Sequence, residues 1–150
     1  MPDSPREVVE QVRRMVAGEG SVAFADLFAE DGVLEYPFTM PGQPRELRGR
    51  EAIRAYFASQ RGARRLFAMD GVHALVRGTD DPEVVVAEIE HHGRSVVTGE
   101  PYRFRALAVI RVRDGRIASY QDYMDPLAAA RLLGRTADLA AALTSGGPPA

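Results

Sequence analysis

A chain of 150 residues, 45% of them apolar, has room for one domain with a sizeable core and no apolar run near the ~20 residues that cross a membrane. Nineteen basic and 21 acidic residues leave a net charge of −2 with no single-sign block, which argues against nucleic-acid or membrane-surface partners. Every basic residue is Arg and Cys is absent, so Schiff-base lysines, the P-loop lysine, thiolate nucleophiles and zinc-thiolate sites are all excluded.

Val8, Val9, Val12, Met15 and Val16 recur at helical spacing, and Ser4 and Pro5 suit an N-cap and a first helical position, so a helix is predicted over Pro5 to Ala17. Ser21 is read as the cap of a second short helix with Phe24, Leu27 and Phe28 on its apolar stripe. Asp31-Gly32 reads as a turn and Val33 to Tyr36 as a strand. Pro37 to Pro44 holds three prolines and a glycine, so it is a loop, and Arg50 to Ser59 is a third helix burying Ile53, Tyr56 and Phe57.

Strands follow. Leu66 to Val76 reads as one bent strand with a bulge at Gly71, and Val84 to His92 and Tyr102 to Val112 are two more. Asp114-Gly115 between alternating runs is a hairpin signal, leading to a last strand from Arg116 to Asp125. Pro126 opens a closing helix through Leu133, and Ser145 to Ala150 reads as a disordered tail after a single domain of residues 1–144. Helices first and strands after give an α+β fold, a curved, mostly antiparallel sheet with helices across its concave face. Such a cone encloses a place for a small apolar ligand.

Alternation on the last strand puts Ala118, Tyr120, Asp122 and Met124 on one face, and Ile117, Ser119, Gln121, Tyr123 and Asp125 on the other. If the first face looks inward, burial raises the Asp122 pKa and makes it a usable acid or base. Asp125, directly before Pro126, suits an N-cap. Glu88 and Glu90 share a face with Val84, Val86 and His92 and are candidate second carboxylates, the alternative being a solvated strand face. Tyr36 and His73 are candidate assisting groups, and Tyr120, Met124, Phe38, Met40 and Phe57 candidate ligand contacts. Phe38 and Met40 on a Pro-rich loop suggest a lid over the cone mouth. His91 and His92 look like a turn, and as neighbours on a strand they do not make a two-His metal site, so no metal or cofactor is expected. Phe104, Ala106, Ala108, Ile110 and Val112 are read as core, leaving Arg103, Arg105, Leu107, Val109 and Arg111 outward.

The segments FADLFAEDGVLEY from Phe24, GREAIRAYF from Gly49 and VRDGRIASYQDYMDPLAAARLLG from Val112 resemble the nuclear transport factor 2-like superfamily. The nearer groups are SnoaL-like polyketide cyclases, limonene epoxide hydrolases and phenazine-biosynthesis A/B proteins. In the latter two the resemblance implies a catalytic carboxylate at Asp122, and in the cyclases one nearer Asp125. The Arg and Asp that the epoxide hydrolases carry two apart correspond to Glu88 and Glu90, so that triad is incomplete here. The resemblance also implies a homodimer through the outer sheet face. The expected function is cofactor-free acid–base chemistry on a small, mainly apolar molecule, as an isomerase, cyclase, dehydratase or epoxide hydrolase of the bacterial cytoplasm. The alternative is a noncatalytic ligand-binding or assembly domain.

Overall fold

A computed structural model describes residues 1–145; all of the expected tail except Ser145 lies outside the described residues. Helix α1 spans Pro5–Val16. Its start is a capping box: Ser4 Oγ accepts the Glu7 N–H at 3.3 Å, and the Glu7 carboxylate accepts the Ser4 N–H at 2.7 Å. Val8, Val9 and Val12 form the buried stripe. The second helix contracts to one 3₁₀ turn, Phe24–Leu27. Its start is fixed by Asp26, which accepts the Ala23 N–H at 3.1 Å, and not by Ser21.

Strand β1 begins at Phe28 and runs to Glu35, so Asp31-Gly32 lies inside a strand. A short strand β2, Glu46–Arg48, pairs antiparallel with β1 and was not foreseen. Helix α2 covers Arg50–Ser59 as expected, but only Ile53 is buried. Phe57, one turn on, sits at the flank of that stripe, is 36% exposed, and packs edge-on to Phe24 at 5.1 Å.

The long strands are β3, Phe67–Gly78, β4, Val84–Ser95, β5, Pro101–Arg113, and β6, Arg116–Met124. The β3–β4 register slips between Met69 and Gly71, where the bend was expected. Asp114 and Gly115 both take positive φ, 51° and 74°, which is the left-handed pair a two-residue hairpin needs. The sheet order is β2-β1-β6-β5-β4-β3, with β1 and β6 parallel and every other pair antiparallel. Helix α3, Pro126–Leu132, follows, and then α4, Thr136–Thr144, a helix beyond the expected closing one and in keeping with the helix propensity of its alanines and leucines.

Helices α1 and α2 cover the concave face of this open, cone-like sheet. The core joins Val8, Val9 and Val12 of α1 and Ile53 of α2 to Phe28, Leu34, Val85, Ala87, Ile89, Ala108, Ile110, Val112, Ile117 and Tyr120. Ile117 therefore faces inward, contrary to simple alternation. Val112 pairs with Ile117 and Arg111 with Ser119, so Ala118 is an extra residue that resets the parity of β6. Among the described residues no helix is long and apolar enough to cross a membrane.

Candidate functional site

Beyond that bulge, β6 sends Tyr120, Asp122 and Met124 to the inner face. Tyr120 and Met124 are buried, and Asp122 is half-buried. Across the ladder Asp122 stands opposite Ala108, with Ile110 opposite Tyr120 and Ala106 opposite Met124. None of these neighbours has a side chain able to donate to a carboxylate except Tyr120. The Oδ1 atom of Asp122 is closed off from solvent and has no hydrogen-bond partner. Native proteins satisfy nearly all such atoms, so an orphan carboxylate oxygen calls for an explanation. Burial alone pushes its pKa from 3.8 up to about 7.

Two phenols share its surroundings. Tyr120 lies two residues earlier on the same strand face, and Tyr36 follows the end of β1, whose Glu35 pairs with Gln121. Burial first, and the Asp122 charge second, raise the pKa of both hydroxyls, so both stay protonated and remain donors. Tyr56 of α2 reaches toward Tyr36, with ring centroids 6.3 Å apart. The arrangement is one carboxyl group poised between protonation states, with two protonated phenols sharing its mainly apolar surroundings. It can give or take a proton near pH 7 and can hold a developing negative oxygen.

Asp125, the neighbouring acid, is spent on structure. Its Oδ1 accepts the N–H groups of Leu127 at 2.9 Å and Ala128 at 3.2 Å, which makes it the N-cap of α3.

The other expected acids and His73 are not brought to Asp122. On β4 the inward set is Val85, Ala87 and Ile89, so Glu88 and Glu90 point outward. Glu88 is paired with Arg77, and Glu90 with Arg103 at 3.2 Å and Arg105 at 3.3 Å. His73 is exposed on the same outer face and stacks on His92 at 5.8 Å. A broad depression of about 550 Å³ opens there, lined by His73, Leu75, Glu88, Glu90, Arg105 and Leu107. Its size does not make it the chemical site, because its charges are already compensated in pairs.

The loop residues separate as well. Met40 is buried against Met124, Ala129 and Ala130, whereas Phe38 is 55% exposed and meets Tyr123 at 5.6 Å, on the outer side of β6. Met40 is thus part of a plug between the Pro37–Pro44 loop, β6 and α3, whereas Phe38 sits apart from it against the outer side of β6, so the two do not act together as the expected lid. His91 and His92 lie within β4 and not in the expected turn, and His91 is on the inner face. Its Nδ1 lies 2.9 Å from the Tyr102 hydroxyl oxygen. The signal that finds it is parity: His91 continues the Val85, Ala87, Ile89 series. Among the described residues no group of three or more His, Asp or Glu is placed to hold a metal ion.

Residues 8–120 match the model of the SnoaL-like domain. The chain belongs to the SnoaL-like family. An uncharacterized PhzA/B-like protein of Pseudomonas aeruginosa is 32% identical to the SnoaL-like chain over 136 residues, 86% of this chain and 89% of the relative. The crystal structure of a proposed isomerase from Bacillus subtilis superposes with a TM-score of 0.74 at 27% identity, covering 87% of this chain and 93% of the other. A hypothetical protein with a ketosteroid isomerase-like fold from Catenulispora acidiphila, solved with trimethylamine, superposes with a TM-score of 0.60 at 23% identity over 91% of this SnoaL-like chain and 98% of its own. At that identity it shares the fold alone.

Proposed function

We propose that this chain is a cofactor-independent acid–base catalyst for a small, mainly apolar organic molecule, with Asp122 as the group that moves the proton. One observation carries the reading: the Asp122 carboxyl has an inaccessible, unpartnered oxygen, and this burial pushes its pKa up to about 7. A carboxylate kept without a donor costs folding free energy, and strongly perturbed buried acids concentrate at functional sites. Near neutral pH Asp122 takes a proton from an acidic carbon or gives one to a leaving or receiving oxygen. Tyr36 and Tyr120 hold the oxygen on which charge collects. That division of labour fits isomerisation, ring closure and dehydration. Opening an epoxide would need a second inward carboxylate with an Arg, and the acids of β4 point outward in ion pairs.

The second reading is ligand binding without turnover: the unpartnered Asp122 oxygen can accept a hydrogen bond from a bound molecule without moving a proton. We also propose a homodimer through the outer face, where Leu75 and Leu107, 53% and 39% exposed, flank Glu88 on one row of the ladder.

The test is a base-promoted reaction with no other requirement, the opening of 5-nitrobenzisoxazole. The carboxylate removes the ring C–H proton, the C–H electrons form a nitrile, and the N–O bond breaks to release a phenolate. Turnover should rise with pH through a midpoint near 7. It should fall by about 10²–10⁴ in Asp122→Asn and be unchanged in Asp125→Asn. Equal turnover in the wild type and Asp122→Asn would overturn the catalytic reading.

A further inference from the structure

A second polar group sits on the inner face toward the end of the sheet where β5 begins. His91 stands opposite Phe104 across the β4–β5 ladder, with its Nδ1 2.9 Å from the Tyr102 hydroxyl oxygen. Phe104, Tyr102 and Phe67 surround it, their ring centroids 5.2, 5.4 and 5.6 Å from the imidazole. Burial, helped by the Arg64 charge, lowers the His91 pKa to about 4, so the ring is neutral at pH 7. A neutral imidazole carries one N–H and the phenol one O–H. The bond between them uses one of these two hydrogens in either tautomer, so the pair always keeps one donor to offer and carries no charge. Nothing in the acid–base chemistry of Asp122 uses it.

Beside this pair lies a hollow of about 320 Å³ between the start of β5 and α3. That is the lower end of the size range of small-molecule sites. Tyr102 and Phe104 form one wall, and Ala128 and Leu132 of α3 line the hollow with them. Three charged side chains also line it: Glu100, Arg103 and Arg131. Arg103 is engaged by Glu90 at 3.2 Å. Arg131 is exposed and enters none of the ion pairs found among the described residues, although the other α3–α4 arginine, Arg135, is paired with Asp138 at 3.2 Å. The lining therefore combines an uncommitted cation with an aromatic wall and a phenol whose histidine partner lies behind it.

We propose that this hollow is a binding subsite for a planar aromatic carboxylate. The ring lies against Tyr102 and Phe104 on one side and Ala128 and Leu132 on the other. The carboxylate meets Arg131 and the Tyr102 hydroxyl, which is free to donate when His91 carries its hydrogen on Nδ1 and gives it to the phenol oxygen. The subsite goes beyond the acid–base reading and does not depend on it, since Met124 and Ala106 stand between it and Asp122.

The experiment titrates the full chain with 2-naphthoate and follows intrinsic fluorescence and backbone amide shifts. Saturable binding is expected, with shifts at Tyr102, Phe104, Ala128 and Leu132. Arg131→Gln and Tyr102→Phe should each weaken it by about 3- to 10-fold, while Asp122→Asn leaves it unchanged. Naphthalene-2-carboxamide, which lacks the charge, should bind more weakly and ignore Arg131→Gln. Cyclohexanecarboxylate, which lacks the planar ring, should bind more weakly than naphthoate. No saturation in the millimolar range overturns the proposal, and so does indifference to either Arg131→Gln or Tyr102→Phe. Weakening confined to Asp122→Asn would place the probe beside Asp122 and also overturn it, while leaving the acid–base reading standing.

Discussion

Ala108 of β5 faces Asp122 of β6 directly across the antiparallel ladder, and the alanine, 1% exposed, sets only a methyl group against the carboxyl. Opposed side chains on such a pair stand close enough to interact. What position 108 does not supply is therefore as important to Asp122 as what surrounds it. A donor there would lower the acid's pKa, and its absence lets burial act unopposed.

Ala108→Ser tests this. The serine is small enough to fit and places a hydroxyl within reach of the carboxyl group. We expect the pH midpoint of Asp122, followed by carboxyl carbon NMR, to fall by about one unit, because a bond to the charged form favours ionisation. The pH midpoint of benzisoxazole opening should fall with it. An unmoved midpoint would mean that the carboxyl points away from β5.

The same pKa makes a prediction for stability. Asp122 holds its proton in the folded state up to about pH 7 but releases it near 3.8 when unfolded. Between those values the native state binds more protons than the unfolded state, so stability falls as pH rises from about 4 to 7 and levels off above. The interval of about 3 pH units corresponds to at most about 4 kcal/mol. Asp122→Asn removes this dependence. Urea unfolding at pH 5 and pH 8 should therefore show the variant gaining on the wild type by a few kcal/mol at the higher pH. A difference that stays constant would contradict a raised pKa.

Asp125 and Asp122 are three residues apart and should respond in opposite ways. Asp125→Ala removes the cap of α3 and should cost about 1 kcal/mol, read as a lower melting temperature, with the acid–base chemistry retained. Loss of turnover with stability intact would reverse the two assignments.

The proposed dimer is checked by charge insertion. Leu107→Asp puts a carboxylate at the centre of the outer face beside Glu88, its ladder neighbour, and on a second copy's equivalent surface. The wild type should scatter light as a mass near twice 16.4 kDa, and the variant as a monomer. A wild-type monomer at micromolar concentration would remove the proposal.

Local signals in the chain were enough for several features. The Ser4 cap, the Asp114-Gly115 turn, the span of α2, the cap at Asp125 and the common face of Tyr120, Asp122 and Met124 each depend on a few adjacent residues. Each is set by backbone geometry or alternation that acts over one turn of chain. The face of β4 is another matter. Val84-Val85-Val86-Ala87-Glu88-Ile89-Glu90 is apolar on both parities at its start, so alternation alone cannot say which side is buried. Packing against α1 chose Val85, Ala87 and Ile89, which turned Glu88 and Glu90 outward to Arg77, Arg103 and Arg105 and brought His91 in beside Tyr102. The bulge at Ala118 is likewise invisible in one strand, since it exists only as a mismatch with β5. The sequence alone determined which groups are available for chemistry; the pairing of β6 with both β5 and β1 decided that one carboxylate, Asp122, is shut away with two phenols and no donor on the strand beside it, because burial is a property of the assembled sheet and not of any segment in it.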